Sequence, residues 1–357
     1  MRKKRNTLDD LHIIHQLETQ YGEEIPEVPY GHRGIGYHMN ITGRVVSLNL
    51  FEELEDTTLL GELKHLQRLS LRDAQITNID ALSQLTELQQ VDLSNCSQLA
   101  DVAPLGELPK LRRLSLAGTQ VAGLKVLSGL QELQSLDIRF TPIKTLAGLH
   151  HLQELNFLDC SICNDLADFE GLDGLENLRT LKLEGVGITD LAAVAPLTQL
   201  KYLDLNYCRG IKHLKPLEDL LALQTLTLSH CLKITDWPLL AEHNSLWHLN
   251  VAATTIDSLE PLKKMKELKW VNLSHNPGVT NLSPLQPLKH LVHIDLRHSG
   301  LAQVPKWLLE KNLELVYFDG FESNTANVFG NPLEAPPLTV AEQGTEAMVQ
   351  FLEGQEE

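Results

Sequence analysis

The sequence predicts an α/β solenoid in which a short unit of strand, turn and compact return segment repeats along most of the chain. Three observations support this prediction. Leucine-rich segments recur 22 or 23 residues apart, apolar residues keep the same places in each copy, and Pro and Gly interrupt the return segments. At 357 residues the chain has the length of two ordinary domains, but a solenoid uses its length one repeat at a time. We therefore expect one long repeat domain with a cap at each end.

Residues 200–223 show the repeat most fully and read LKYLDLNYCRGIKHLKPLEDLLAL. When Leu200 is counted as position zero, Leu203 and Leu205 lie on a predicted strand and Cys208 lies in the turn that follows. The copies start at Leu66, Leu88, Leu111, Leu133, Leu155, Leu178, Leu200, Leu223, Leu246, Leu268 and Leu291. The spacing LxxLxL followed by Cys or Asn is the signature of leucine-rich repeats. It predicts a curved solenoid with a parallel concave β-sheet and, because apolar residues then recur every third position, a convex side of 3₁₀ and irregular segments.

The N-terminal residues, 1–44, are predicted to form a cap made of one helix and one hairpin. Apolar residues recur at helical spacing over residues 7–23, and Pro26 and Pro29 are expected to end that helix. The stretch GYHMNITGRVVSLNL predicts two strands around residues 40–43. A free regulatory helix is the alternative. We favour the cap because the apolar stripe of the helix needs burial.

The repeats are predicted to span residues 45–312, and residues 313–357 are predicted to form the C-terminal cap. One last strand is expected from three matching apolar residues: Leu313, Val316 and Phe318. In that copy Phe321 would replace the small inward residue of the turn. Two prolines at 336–337 predict a break, and one helix is then expected from about residue 339 to residue 352.

The charge balance and the absence of membrane signals restrict the kinds of partner that we expect. The sequence has 47 acidic and 30 basic residues, and the net charge of −17 opposes sequence-independent attraction to nucleic-acid phosphates. No apolar signal-peptide core follows the first residues, and no run approaches the about 20 apolar residues of a spanning helix. We therefore expect a cytoplasmic monomer that binds neither nucleic acid nor membrane.

The five cysteines raise the question of disulfide or zinc chemistry, since Cys160 and Cys163 spell CxxC. The repeat explains them differently. Position eight, where the turn needs a small inward side chain, holds Cys96, Cys163, Cys208 and Cys231. Cys160 takes the inward position five. We favour buried structural cysteines over a redox or zinc site, because a second paired CxxC is missing.

Aromatic and histidine side chains gather at strand positions that the core does not need. In the later copies positions two, six and seven carry the residues that we predict to bind a partner: Phe157, Tyr202, Tyr207, His230, His248, Trp270, His275, His293, Arg297 and His298. Aromatic residues and Arg are favoured as interface anchors. The alternative is that the rings shield a parallel sheet that has no helices on that side.

Position four carries recurring acids, at Asp92, Asp137, Asp159, Asp204 and Asp295. Asp is unfavourable on a strand, so its recurrence needs a reason. The acids could pair with basic side chains of a partner, or bond to side chains of this chain. We favour the second interpretation because Arg113, Arg139 and Arg297 are expected nearby.

The histidines could in principle hold zinc or nickel, but no short His spacing indicates a preformed site. A pH-sensitive surface is the better interpretation, since His titrates near neutrality. His275 and His298 should be lateral neighbours, whereas the strand of Trp270 should separate His248 from His293. No nucleophile with a base and an orienting group is visible, so we expect no enzyme, no cofactor and no metal.

The repeats resemble the bacterial internalin-like or protein-phosphatase-regulator-like class, in which LxxLxLxxN is followed by IxxLxxLxxLxx. The segments GYHMNITGRVVSLNL and GNPLEAPPLTVAEQGTEAMVQFLE, the latter at residues 330–353, are similar to the ends of leucine-rich modules in bacterial Roco proteins. In that family such a tail leads into a Ras-like GTPase domain, but this sequence has no GxxxxGK[ST] phosphate loop. The resemblance therefore implies a recognition module without GTPase activity.

We accordingly expect a non-catalytic scaffold that binds a protein or peptide on its concave face. The alternative is a regulatory subunit whose end caps dock a separate GTPase, phosphatase or signalling protein.

Overall fold

The computed structural model describes residues 7–52, 54–311, 313–320 and 324–356. The chain forms two compact units, unit 1 up to residue 181 and unit 2 from residue 182 onward. The helices in the described residues are α1 (Thr7–Tyr21), α2 (Trp307–Glu310), α3 (Leu338–Ala341) and α4 (Thr345–Glu353). The strands in the same residues are β1 (Gly36–Met39), β2 (Val45–Asn49), β3 (Arg68–Ser70), β4 (Gln90–Asp92), β5 (Arg113–Ser115), β6 (Ser135–Asp137), β7 (Phe157–Asp159), β8 (Thr180–Lys182), β9 (Tyr202–Asp204), β10 (Thr225–Thr227), β11 (His248–Asn250), β12 (Trp270–Asn272), β13 (His293–Asp295), β14 (Glu314–Val316) and β15 (Thr325–Asn327).

Short 3₁₀ segments and irregular turns return the chain from one repeat strand to the next, as the spacing of three in the return segments predicts. The 3₁₀ segments are Thr58–Glu62, Asp80–Gln84, Ala103–Glu107, Lys125–Gly129, Ala192–Val194, Lys215–Leu217, Trp237–Glu242, Glu260–Lys264, Ser283–Leu285 and, at the C-terminus, Gly354–Glu356. None of the helices described here is long and apolar enough to cross a membrane.

The sheet of unit 1 begins with an antiparallel hairpin and continues in parallel. β1 pairs with β2 in antiparallel fashion, and β2 to β7 then follow one another in chain order with parallel pairing. Residues at the same repeat position are lateral neighbours, so that Arg68 pairs with Gln90 and Gln90 with Arg113. The repeat register read from the leucines is therefore correct.

The strands of unit 2 follow the same rule up to its C-terminal end. β9 to β13 are parallel and in chain order, and β15 and then β14 follow β13. β8 contains the boundary between the two units. Pairing again joins equal repeat positions, as in Tyr202 with Thr225 and Trp270 with His293.

The apolar consensus positions form the core of both units. From Leu200 to Leu223 every consensus position is at most 1% exposed. Burial of one leucine side chain is worth about 1.5–3 kcal/mol. Every repeat buries its leucines in the same way, so this burial stabilises the stack of repeats without covalent links between them.

The cysteines serve this core as hydrogen-bond donors. Each cysteine at position eight donates its thiol to a main-chain carbonyl of the preceding repeat, as Cys208 does to Leu183 at 3.0 Å and Cys231 to Leu205 at 3.1 Å. Burial raises the thiol pKa of Cys96 and of Cys231 to about 12. All five cysteines are buried and unpaired, as the structural interpretation requires. Redox and zinc chemistry need a thiolate, which burial disfavours here.

α1 packs against unit 1 through Ile14, Leu17 and Tyr21, which are at most 6% exposed. Buried Asp10 accepts hydrogen bonds from the main-chain N–H of Val45 at 2.9 Å and from the Arg44 guanidinium at 3.1 Å, which ties the helix to the hairpin. The helix is therefore not free.

The end of α1 differs from the prediction that Pro26 and Pro29 stop the helix. It ends at Tyr21, because Gly22 adopts a φ of +83° and its N–H bonds to the Glu18 carbonyl. A left-handed glycine is a common helix stop.

The last strand of the repeat pattern lies later in the chain than the sequence analysis places it. β14 contains Val316, as predicted, but β13 pairs with β15 instead. The segment ANVFGN at 326–331 supplies the repeat positions, and Asn331 bonds the Leu296 carbonyl at 2.7 Å. The prediction was wrong because Ala326 replaces the expected leucine. Phe321 lies outside the described residues.

The C-terminal helix is also divided. One helix was expected over residues 339–352, but α3 ends at Ala341 and α4 begins at Thr345. Gly344 stands between them with a φ of +98°, which a continuous helix cannot contain. The buried Met348 and Leu352 show that α4 still packs its apolar side inward.

Position seven of each repeat has a left-handed backbone, which the sequence analysis did not foresee. Its φ is +63° at Asp73, +71° at Gly118 and +60° at Ile162. An L-residue in this region costs roughly 1–2 kcal/mol, and a β-branched one is a true outlier. Gly, Asn and Asp tolerate the conformation best.

Replacing Ile162 by Asn is therefore expected to raise the free energy of unfolding by about 0.5–1 kcal/mol, because Asn relieves left-handed strain. The measurement is urea denaturation followed by circular dichroism. Ile162→Val, which keeps the β-branch, serves as the control and should give no gain. A loss of stability in Ile162→Asn would show that side-chain packing outweighs backbone strain at this site.

Candidate partner-binding surface

Position two in unit 2 brings aromatic rings side by side on the face of the sheet that points away from the leucine core, here called the strand face. The Trp270 ring on β12 packs against the His248 ring on β11, with centroids 4.1 Å apart and planes tilted by 32°. On its other side Trp270 stacks on His293 of β13 at 5.2 Å. Trp270 is thus held between the imidazole rings of the two strands that flank β12. Tyr202 on β9 has the Lys182 ammonium 5.9 Å from its ring centroid.

His293 is the member of the predicted set that burial excludes from direct contact. It is 3% exposed, because Trp270 covers one side and Thr325 of β15 approaches its Nδ1 at 3.5 Å. The His293 ring therefore stacks on one side of Trp270 and has little exposed surface of its own. This burial could not be predicted from the repeat spacing, because β15 lacks the leucine that marks the other strands.

A second row of rings follows at position seven. Tyr207 stacks on His230 with centroids 4.3 Å apart, and His275 stacks on His298 at 4.7 Å. Ala253 interrupts the row between the two pairs. The expectation that His275 and His298 are lateral neighbours is confirmed.

These rings point outward for a reason other than strand alternation. The strands end at position four, and the four residues of both pairs have φ values between +52° and +63°. Their main-chain N–H groups bond to carbonyls of the next repeat, as Tyr207 does to Ser229 at 2.7 Å. Gly adopts this left-handed turn more easily than Tyr or His, so a ring at position seven is held there at some cost in backbone strain.

Phe329 extends the second row, and sequence reasoning did not find it. Its ring meets His298 edge-on at 5.4 Å, and the Tyr317 ring lies 5.2 Å from Phe329. The signal was present in ANVFGN, because a displaced repeat would place Phe329 one residue before the left-handed Gly330.

Two predicted residues have different surroundings from the rest. Phe157 belongs to β7 of unit 1, where it is half-buried and pairs laterally with Ser135. Arg297 of unit 2 donates to both oxygens of Asp295, at 3.0 and 2.8 Å, and to Asp319 at 2.9 Å. These two carboxylates hold the Arg297 guanidinium close to the His275 and His298 pair.

The acids of position four bond within the chain, which supports the structural interpretation. Each accepts a hydrogen bond from the main-chain N–H two residues later, as Asp204 does from Asn206 at 3.0 Å. Asn250 and Asn272 accept the same bond in repeats that lack the acid. The bond caps the end of each strand and starts the turn that carries the rings. Arg139 and Arg297 pair with these acids, whereas no ion pair joins Arg113 to one within the described residues.

Two histidines of the surface, His248 and His275, have a pKa below the ordinary value and are held toward the neutral state. Burial, and next the charge of His293, lower the pKa of His248. Burial also lowers the pKa of His275, followed by the charges of His298, Arg297 and His230, while Asp295 acts in the opposite direction. A neutral imidazole offers an apolar face and one acceptor nitrogen. No group of three His, Cys, Asp or Glu side chains in the described residues could hold a metal ion.

These shifts predict that the protein loses stability in mild acid. The unfolded chain takes up protons at the ordinary His pKa near 6.5, but folded His248 and His275 do so only at lower pH. Below about pH 6.5 the unfolded state therefore binds more protons than the folded state. The free energy of unfolding should keep its full value above about pH 6.5 and decrease as the pH falls below it. Urea denaturation at several pH values measures this.

The matched variants are His248→Gln/His275→Gln and, as control, His65→Gln/His290→Gln at two exposed histidines away from the strands. The first pair should flatten the pH profile more than the second. Equal profiles for both pairs would contradict the assigned causes.

Comparisons with known proteins agree with this architecture. A family profile described as leucine-rich repeats in two copies matches residues 64–107. A search of curated proteins gives no match for the sequence. An internalin from Listeria monocytogenes is 22% identical, with 81% of this chain and 82% of the internalin covered and a TM-score of 0.69.

Two further structures have the same fold. A leucine-rich repeat protein of Leptospira interrogans is 21% identical, over 86% of this chain and 81% of its own, with a TM-score of 0.65. The ectodomain of the plant receptor kinase GASSHO1/SCHENGEN3 from Arabidopsis thaliana, in complex with Casparian strip integrity factor 2, is 20% identical over 92% of this chain and 47% of its own, with a TM-score of 0.57. The chain therefore has the leucine-rich repeat fold and is similar in structure to a bacterial internalin and a Leptospira repeat protein.

Proposed function

We propose that the protein is a non-catalytic recognition scaffold that binds a protein or peptide on the strand face of unit 2, which the sequence predicts to be concave. Its partner-binding residues are Tyr202, Tyr207, His230, His248, Trp270, His275 and His298, called the strand-face rings below. The observation that carries the proposal is Trp270, a large ring that the leucine core does not use and that two imidazoles hold in place. Leucine-rich repeat folds typically act as interaction modules.

The chemistry of the surface favours an uncharged or weakly polar partner segment. Tyr207 remains 43% exposed although it stacks on His230, and Trp247 beside His248 is 41% exposed. Aromatic rings held in place lose little conformational freedom on binding, which makes them efficient anchors. Arg297 and Phe157 complete the predicted set, Arg297 as a positioned cation in unit 2 and Phe157 as an outlying contact in unit 1.

The other parts of the proposal come from the sequence, some from its composition and some from its family resemblance. They are a bacterial origin, a cytoplasmic location, a monomeric state and end caps like those of Roco modules at residues 1–44 and 313–357, with the repeats at 45–312. The cysteine thiols, buried and with raised pKa values, are poor nucleophiles, which supports a role without catalysis.

Affinity capture from a native lysate tests the proposal. Immobilised wild type is compared with Tyr202→Ala/Trp270→Ala and with a control, Leu221→Ala/Leu232→Ala, which removes two apolar residues exposed by 53% and 49% outside the strands. We expect mass spectrometry to show a protein that wild type and control retain and the double variant loses. Docking of a GTPase, phosphatase or signalling protein through the end caps predicts identical captures by all three.

A further inference from the structure

The sheet face of unit 1 contains a basic cavity of about 500 Å³ over β2 to β5. Its charged lining consists of four arginines and a single carboxylate: Arg33, Arg68, Arg72, Arg113 and Asp92. The chain as a whole has a net charge of −17. The cavity is therefore locally positive on a chain whose net charge is negative. A negatively charged partner would complement the charge of the cavity.

Arg68 on β3 is held in place in the lining of the cavity. Its Nε and Nη2 donate to the Gln90 side-chain oxygen at 3.2 and 3.1 Å. Its guanidinium carbon lies 4.8 Å from the centroid of the Tyr30 ring. The charge of Arg68 is thus oriented by a neutral amide and an aromatic face, neither of which neutralises it.

The other arginines divide into one that is paired and two that are not. Arg72 donates to Asp92 at 2.8 Å, so this carboxylate is already used. Asp92 also accepts from the Ser94 hydroxyl and N–H, which keeps it turned toward its own strand end. Arg33 and Arg113 are exposed, and within the described part of the chain no hydrogen bond or ion pair holds the guanidinium group of either residue. Three guanidinium charges therefore remain without a counter-charge.

We propose that this cavity binds an acidic peptide segment of another protein. Arg68 and Arg113 occupy the same repeat position two strands apart, which corresponds to about 10 Å. Carboxylates three residues apart on a peptide in the polyproline II conformation point to the same side and lie about 9 Å apart, which is similar. Ser70 and Gln90 also line the cavity and offer a hydroxyl group and a side-chain NH₂ group to a peptide backbone. The Asn49 side-chain NH₂ group in the same lining already donates to the His32 and Gly34 carbonyls.

A compact phosphate fits this geometry less well. Tight phosphate sites converge several donors on one point, whereas these guanidinium groups start from separate strands and Asp92 lies among them. Carboxylates distributed along a chain can each meet one arginine and leave Asp92 to Arg72. The inference concerns unit 1 and does not depend on the proposed function of the strand-face rings.

The test measures fluorescence anisotropy of a labelled peptide of about eight glutamates, long enough to cross three strands. The peptide should bind wild type saturably, bind more weakly as salt rises from about 50 to 200 mM, and resist displacement by inorganic phosphate at equal concentration. A polyglutamine peptide of the same length should not bind.

The variant Arg33→Gln/Arg113→Gln should weaken binding about tenfold, equivalent to about 1.4 kcal/mol, because it removes two exposed charge pairs. The control Lys144→Gln/Arg179→Gln makes the same change in net charge at exposed positions of unit 1 outside the cavity, and it should bind like wild type. Tyr202→Ala/Trp270→Ala should also keep its affinity for polyglutamate, which separates this site from the proposed one.

Three results would overturn the proposal. They are the absence of saturable polyglutamate binding by wild type, equal losses in the cavity variant and its control, and displacement by phosphate at the concentration of the peptide. Circular dichroism of each variant excludes unfolding as the cause of a loss.

Discussion

Replacing Trp270 by Ala is expected to weaken partner binding about 30-fold, equivalent to the about 2 kcal/mol of a central interface residue. The same change should lower the free energy of unfolding by only about 1 kcal/mol, because Trp270 loses its contacts with His248 and His293 but opens no cavity in the leucine core. Titration calorimetry with the captured partner and urea denaturation measure the two effects.

Tyr202→Ala should add to this effect. Tyr202 on β9 and Trp270 on β12 are three strand spacings, about 14 Å, apart, a distance at which the effects of two substitutions are usually additive. The control Leu221→Ala/Leu232→Ala should bind like wild type. If Trp270→Ala lowers stability while the affinity stays unchanged, the rings only shield the sheet, and the proposed surface is wrong.

Replacing Asn276 by Leu is expected to lower the free energy of unfolding by about 3–5 kcal/mol. Asn276 is 1% exposed and accepts from the Thr254 N–H at 2.8 Å and hydroxyl at 3.0 Å. It also donates to the carbonyls of Val251 at 2.8 Å and Leu273 at 3.0 Å. Leucine has a similar volume but leaves these buried groups unpaired, at about 1–3 kcal/mol each.

Asn276→Cys provides the matched comparison, because other repeats carry Cys at the same position. There a thiol donates one bond to the preceding repeat, as Cys231 does, but it would leave the Thr254 N–H without its acceptor. We expect an intermediate loss of about 1–3 kcal/mol. A stability of Asn276→Leu within about 1 kcal/mol of wild type would contradict this account of position eight.

Asn276 also connects the core to the surface, since it follows the left-handed His275 directly. Its bonds fix the turn that presents His275 to His298. Asn276→Cys keeps every ring of the strand face, and the rings alone would predict unchanged affinity. We nevertheless expect its affinity for the partner to fall, because the turn that carries His275 is less firmly held.

The leucine spacing was sufficient to predict the strand register, and with it the lateral contacts of the strand face. Equal repeat positions on parallel strands must be neighbours, so Trp270 next to His248 and His275 next to His298 follow from the sequence alone. The inward cysteines followed from the same register. For the acids of position four the register predicted side-chain partners such as Arg139 and Arg297, but not the main-chain N–H two residues later.

Features that depend on a departure from the repeat could not be read in this way. β15 was not predicted because Ala326 stands at a leucine position. The burial of His293 beside β15 was therefore not predicted either. The left-handed turn was partly readable, since Asp73, Asn95 and Gly118 are residues that favour it. The basic cavity was missed because Arg33 comes from the loop before β1, outside the repeat register.

The most direct test of the central claim is hydroxyl-radical footprinting of the protein with and without its captured partner. Oxidation of Tyr207 and Trp270 on the strand face is compared with that of exposed Leu221 and Leu232. Our account predicts that the partner protects Tyr207 and Trp270 and leaves the two leucines unchanged. Unchanged oxidation of Tyr207 and Trp270 in the saturated complex would contradict it.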